Sequence, residues 1–181
     1  MDMNPRNKPL VPVAPFVITR RRSMVVLSGA VTAATWPAST PLAQSQRRLT
    51  PTQTEGPYYP VELPADSDND LLTNGSRTFA PQQRAIVEGV VTDRDGRPVR
   101  GAVVEIWQCD QNGHYHHPRD GGRADPAFQG FGRTAVDAEG RYQFKTMRPA
   151  PYSGRTPHVH VKVKLNKLEL LTTQLYVADD P

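Results

Sequence analysis

Pro157-His158-Val159-His160-Val161-Lys162-Val163-Lys164-Leu165 alternates strictly between apolar and polar side chains. A period of two is the mark of a β-strand with unlike faces. Val159, Val161, Val163 and Leu165 fall on one face; His158, His160, Lys162 and Lys164 fall on the other. Strand signals recur upstream and downstream. Ala85–Thr92 is a β-branched run ending in Asp93-Arg94-Asp95-Gly96, and Ala102–Gln108 alternates and ends in Asp110-Gln111-Asn112-Gly113. Arg141–Lys145 alternates after Glu139-Gly140, and Leu170–Val177 closes the series. Short strands separated by glycine-containing turns predict an all-β, single-domain sandwich with long loops. The 18 prolines argue against a helical bundle. Residues 50–82, rich in Pro, Asp and Asn, read as an extended N-terminal arm and loops. Asp66-Ser67-Asp68-Asn69-Asp70 has the alternate spacing of a calcium loop but lacks its Gly and bidentate Glu, and reads as a solvated loop.

The charge is divided unevenly. The chain holds 22 Lys+Arg against 18 Asp+Glu in 181 residues, but residues 1–45 hold five of those basic residues and one acid, so the remainder is neutral. The basic pI belongs to the leader, and a nucleic-acid-binding face loses its support. Within that leader, Arg20-Arg21-Arg22-Ser23-Met24 precedes Val25–Ala34, and Ala43-Gln44-Ser45 supplies small residues. This is a signal-peptide pattern. Its apolar run is about half of the roughly 20 residues that a membrane span needs. The arginine pair resembles a twin-arginine export signal; a general secretory signal and an amphipathic tail are the alternatives. The expectation is residues 1–45 as export signal, residues 46–181 as the sandwich domain, a periplasmic or secreted location, and no membrane in the mature form. Cys109, the lone cysteine, excludes an internal disulfide and any all-Cys metal site; it reads as a small buried residue.

All five histidines lie in two clusters, His114/His116/His117 and His158/His160. Adjacent imidazoles on one strand face can converge on a metal; the alternative is an exposed polar face, which Lys162 and Lys164 would continue. No carboxylate lies within the stretch to complete a two-His-one-carboxylate site. Tyr115 and Tyr152 stand nearby in turn-rich segments. A phenol, with a pKa near ~10, is a poor ligand for a divalent ion. A trivalent hard cation can hold it as phenolate. Two phenolates and two imidazoles would offset two of the three charges of ferric iron.

Six ordered segments carry a resemblance. They are Thr50–Tyr59, Val87–Tyr115, Phe128–Arg133, Asp137–Tyr152, Arg155–His160 and Leu171–Tyr176. Together they resemble the intradiol ring-cleavage dioxygenases, in the protocatechuate 3,4-dioxygenase-like branch. The resemblance implies one Fe(3+) per domain, held by Tyr115, Tyr152, His158 and His160, with Tyr152 and His160 as the axial pair. It implies that Arg155 and Gln174 border the substrate ring, that Gly56, Pro57 and Tyr58 of the arm line the pocket, and that Trp107 stands beside the ligand loop. It further implies a catechol-type substrate and O2, and cleavage between the hydroxylated carbons to a cis,cis-muconate. Tyr152 would accept a catechol proton.

Three departures accompany the resemblance. The Tyr152–His158 stretch is short, no helical dimerisation segment of the catechol-dioxygenase type precedes the domain, and the chain stops at Asp179-Asp180-Pro181 where family members continue. A shortened C-terminus and an open pocket are the expectations, and a homo-oligomer is left open. The reading from another class is a secreted, non-catalytic β-sandwich binding module.

Overall fold

In the computed structural model, residues 48–178 are described. Residues 1–45, where an export signal is expected, and the terminal Asp179-Asp180-Pro181 lie outside them. Eight strands follow in chain order: β1 (Thr73–Asn74), β2 (Arg77–Thr78), β3 (Arg84–Val90), β4 (Ala102–Trp107), β5 (Phe131–Ala135), β6 (Arg141–Met147), β7 (His158–Leu165) and β8 (Leu168–Tyr176). All named pairs are antiparallel. β1 pairs β2, β3 pairs β6, and the main sheet has the order β5-β4-β7-β8. One 3-10 turn, Pro118–Asp120, interrupts the loop between β4 and β5. No helix among the described residues is long and apolar enough to cross a membrane.

The alternation builds a sandwich. Val104 and Ile106 of β4 and Val159, Val161 and Val163 of β7 face one way and meet Val87 of β3 and Phe144 of β6 in a shared core. Burying each such side chain contributes about 1.5–3 kcal/mol. Val87 stands opposite Phe144 in register, so the smaller sheet delivers both to the same layer.

The other face of the main sheet is not the exposed polar surface that Lys162 and Lys164 suggested. β7 is buried on both faces over its first six residues. The arm covers it. The Gln53 amide donates to the Thr172 carbonyl at 2.9 Å, Thr173 Oγ1 donates to the Pro51 carbonyl at 2.9 Å, and Gln174 Nε2 donates to the Thr54 carbonyl at 2.8 Å. A register shift between Val163 and Lys164 places Glu169 of β8 opposite Lys164 and brings a carboxylate onto the polar face.

Two features were not anticipated. β5 pairs with β4 although Gly132 interrupts its pattern; a Cβ there would lie 2.5 Å from the Asp68 carbonyl oxygen, so only glycine admits this approach. The β1–β2 hairpin has only two residues in each strand and carries no periodic signal. The acidic run at 66–70 is engaged by the chain itself: Asp66 accepts from the Gly75 amide, Asp68 from the Asp70 amide, and Asp70 pairs with Lys145.

Candidate metal centre

The two histidines come from the polar face of β7 and are almost completely buried. Their Nε2 atoms are 3.2 Å apart. His158 Nδ1 lies 2.7 Å from the Thr156 carbonyl, which accepts only from a protonated nitrogen. That contact fixes the tautomer and leaves the Nε2 lone pair free to face the site. His160 stacks on Trp107 with ring centroids 4.8 Å apart and planes 10° apart. Its Nδ1 has no partner. Burial holds His158 below the usual histidine range. Burial, then the neighbouring His158 and Arg155, pushes His160 down to about 3. Both rings are therefore neutral donors at neutral pH.

The tyrosines reach the same point from two loops. Tyr115 is buried. Its backbone amide donates to Asp120 Oδ2 at 2.7 Å, and its ring stacks on Tyr58 at 4.5 Å. Asp110, itself fully buried, accepts from the amides of Asn112, His114 and Asp125 and shapes the loop that carries Tyr115. Tyr152 sits on a tight turn whose central residues, Ser153 and Gly154, both have positive φ, as a type I′ turn requires. That turn pairs Tyr152 with Arg155 in an isolated bridge. The loops meet where a Cβ on Gly113 would lie 2.9 Å from Tyr152 Cβ. Tyr115 Oη donates to Tyr152 Oη at 3.2 Å, and Tyr152 Oη is 3.3 Å from His158 Nε2. Burial pushes both phenols up, most strongly Tyr115. Without a cation beside them they stay protonated.

Four donor atoms thus form a chain with steps of 3.2, 3.3 and 3.2 Å. Metal bonds of about 2.0–2.1 Å put tetrahedral neighbours about 3.3–3.4 Å apart. Successive donors already have the spacing of neighbouring ligands around one ion. Among the described residues no group of three or more His, Cys, Asp or Glu has such an arrangement. The site needs its phenols, and hard oxygen donors that must lose a proton suit a hard, highly charged cation.

The family model for Dioxygenase matches residues 54–181. The chain belongs to the intradiol dioxygenase family. Among curated intradiol dioxygenases, it is 38% identical over 136 residues to the protocatechuate 3,4-dioxygenase beta chain of Burkholderia cepacia, covering 69% of this chain and 58% of that one. It is 32% identical over 144 residues to hydroxyquinol 1,2-dioxygenase of Corynebacterium glutamicum, covering 70% and 45%. The chain therefore spans about half the length of these relatives. Among solved structures, the dioxygenase domain of a dioxygenase carbohydrate-binding protein fusion from Streptomyces sp. SirexAA-E superposes with a TM-score of 0.57 at 32% identity, covering 73% of this chain and 77% of that one. An intradiol ring-cleavage dioxygenase from Tetranychus urticae gives a TM-score of 0.57 at 27% identity, covering 71% and 64%.

The remaining residues expected at an intradiol dioxygenase site surround the donors unevenly. Arg155 donates to Gln174 Oε1 at 2.7 Å. Gln174 is fully engaged: Tyr176 also donates to its oxygen, and its nitrogen donates to the arm. It holds Arg155 and is not itself a free donor. Gly56 is exposed, yet a Cβ on it would lie 3.3 Å from His160 Cε1. Pro57 is exposed, and Tyr58 and Trp107 pack on the rings of Tyr115 and His160. His114, His116 and His117 give no atom to the donor group; His116 Nε2 meets the Phe128 carbonyl and His117 Nδ1 accepts from the Arg119 amide. Cys109 is buried, its thiol aimed at the Ala150 carbonyl and pushed up to about 12 by burial. A cavity of about 330 Å³ opens beside Tyr58, Trp107, Tyr115, Phe131 and Val61, room enough for a substituted benzene ring.

Sequence reading missed Asp110, Asp120, Thr156 and a network on the same sheet face. In that network Tyr59 donates to Glu105 at 2.8 Å, Lys164 donates to Tyr59 and Glu105 at 2.9 and 3.0 Å, and Lys162 lies between Glu55 and Glu169. Its only signal was the placement of Lys162 and Lys164 in step with the histidines.

Proposed function

We propose that this chain is a non-haem iron(III) enzyme that cleaves a catechol-type ring between its hydroxylated carbons with O2, giving a cis,cis-muconate. The observation that carries this reading is the convergence of Tyr115, Tyr152, His158 and His160. Family membership supports it, and the match to the Burkholderia cepacia chain favours a protocatechuate-like branch. One Fe(3+) per domain and export through the twin-arginine pair at Arg21-Arg22 belong to the same proposal. A non-catalytic module accounts for the strands but gives no reason for a buried and a half-buried phenol to face two neutral imidazoles.

Tyr115, Tyr152, His158 and His160 would hold the iron. Bound there, ferric iron would supply a Lewis acid for the catechol oxygens and an acceptor for ring electron density, which opens the ring to O2 without a separate reductant. The chain's own residues do the rest. Thr156 keeps His158 in the tautomer that points a lone pair inward. Tyr58 and Trp107 pack against Tyr115 and His160 and exclude water from them. Held as a phenolate, Tyr152 Oη could accept a proton from a catechol hydroxyl, and its turn, which carries only one isolated bridge, would let it move as it does so. Arg155, oriented by Gln174, offers positive charge beside Tyr152 to a ring that is becoming anionic.

The test is stoichiometry. Iron-loaded protein given catechol or 3,4-dihydroxybenzoate is expected to consume one O2 per ring and release the muconate. A product opened beside the hydroxyls, or no O2 uptake with either compound, would refute the assignment.

A further inference from the structure

We propose that residues 51–60 are a latch over the four-donor site, with Lys162 as its catch. Lys162 is 5% exposed and sits two residues beyond His160 on the same strand face. A buried ammonium needs partners. Lys162 has two carboxylates, Glu55 from the arm and Glu169 from β8, and its Nζ lies 4.1 Å from the centre of the Tyr59 ring. Tyr59 fastens the far end of the arm through Glu105 and Lys164, and its edge covers Trp107 at 5.0 Å. Between these two fastenings run Gly56, against His160, and Tyr58, stacked on Tyr115. Glu55 and Tyr59 thus set whether the two donors on that side are covered.

The fastening is built to release. Tyr58 and Tyr59 pack against the cluster of Trp107, Cys109, Tyr115 and Phe131, but from Pro51 to Pro57 the arm contributes no residue to either buried core cluster and is held mainly by polar contacts, so the Glu55 end is the one that can lift first. Segments with few apolar anchors open at a small fraction of the global unfolding cost. When Glu55 leaves, Lys162 keeps Glu169 at 3.1 Å, so its charge is not stranded. Glu55 has a side chain 43% exposed and returns easily to water. Lys162 is accordingly a positioning residue. Its partner on the arm governs access to the donors. The effect on metal exchange rests on the iron reading above; the movement of the arm does not.

The experiment uses the full chain carrying Trp36→Phe, which leaves Trp107 as the sole tryptophan. Glu55→Lys sets a second ammonium against the buried Lys162 from a side chain that is itself 43% exposed, and Lys162→Met removes the catch. Acrylamide quenching of Trp107 in metal-free protein reports arm opening. The rate at which a chelator strips iron from loaded protein reports access to the donors. Glu55→Lys is expected to increase the open fraction and the iron-loss rate about ten-fold, with little change in Tm, a factor of ten corresponding to about 1.4 kcal/mol. Glu139→Lys, the same charge change on a distant turn, should match the parent. Parent-like quenching and iron loss in Glu55→Lys would overturn the latch even if Lys162→Met fails to fold. Should the parent bind no iron, the iron reading fails, and the quenching measurement still decides the latch.

Discussion

His160→Ala is expected to lose ferric iron and ring cleavage together, with iron affinity falling more than 100-fold. Disturbing a residue that merely orients a ligand typically costs 10–100-fold in metal affinity, and here a donor itself is removed. His160 is 1% exposed, its Nε2 is 3.2 Å from that of His158, and its ring is wedged against Trp107. No other side chain among the described residues stands ready to replace it. His158 and the phenols would be left with an incomplete set. Removing the buried ring also leaves a cavity, with a stability cost of about 2–5 kcal/mol. Iron content after equilibrium dialysis should therefore be read beside Tm, with His160→Gln as the better-filled companion. His116→Ala serves as the histidine control, since its Nε2 faces the Phe128 carbonyl and not the donors. Normal iron and turnover in both His160 variants would end the proposed coordination.

Tyr152→Phe and Tyr115→Phe are expected to fail in different ways. Tyr115 is held by the Asp120 carboxylate on its amide, by Tyr58 across its ring and by near-complete burial. Its phenol cannot move without unpacking the loop, so its loss should appear as lost iron. Tyr152 is only partly buried and rides on the Ser153-Gly154 turn. It can swing away from the donors at low cost and take up a proton as it does. Tyr152→Phe should retain a substantial share of its iron yet lose turnover by about 10²–10⁴-fold, the range for removing a positioned proton acceptor. Iron content and single-turnover catechol binding, measured on both variants in parallel, separate the two roles. Equal iron loss in both would show that the tyrosines are equivalent; wild-type turnover in Tyr152→Phe would remove its proton-accepting role.

Much of this arrangement was legible because strand alternation is local. His158–Leu165 assigns its valines to the core and its histidines to the opposite face without reference to any other segment. The fate of that opposite face was not legible. Lys162 reads as a solvated residue until Glu55, 107 positions away, is laid beside it. Glu169 reaches the same face only through the register shift in β7–β8. Asp120 and Asp110 act through backbone amides, which leave no side-chain pattern in sequence. β5 was hidden because its glycine, needed for contact with Asp68, breaks the expected run. The donors themselves come from three separate segments. A shared strand face linked His158 to His160, while Tyr115 and Tyr152 were joined to them by resemblance, and their convergence required the loops to be seen folded.

The most direct test is a ferric titration of metal-free protein followed in the visible. Phenolate-to-iron(III) charge transfer absorbs there, whereas imidazole or carboxylate coordination alone does not produce that band. A visible band is expected that grows to one equivalent of iron per chain, then stops, and that is abolished in Tyr115→Phe. Iron bound at one equivalent without such a band, or with the same band in Tyr115→Phe and Tyr152→Phe alike, would contradict the proposed coordination.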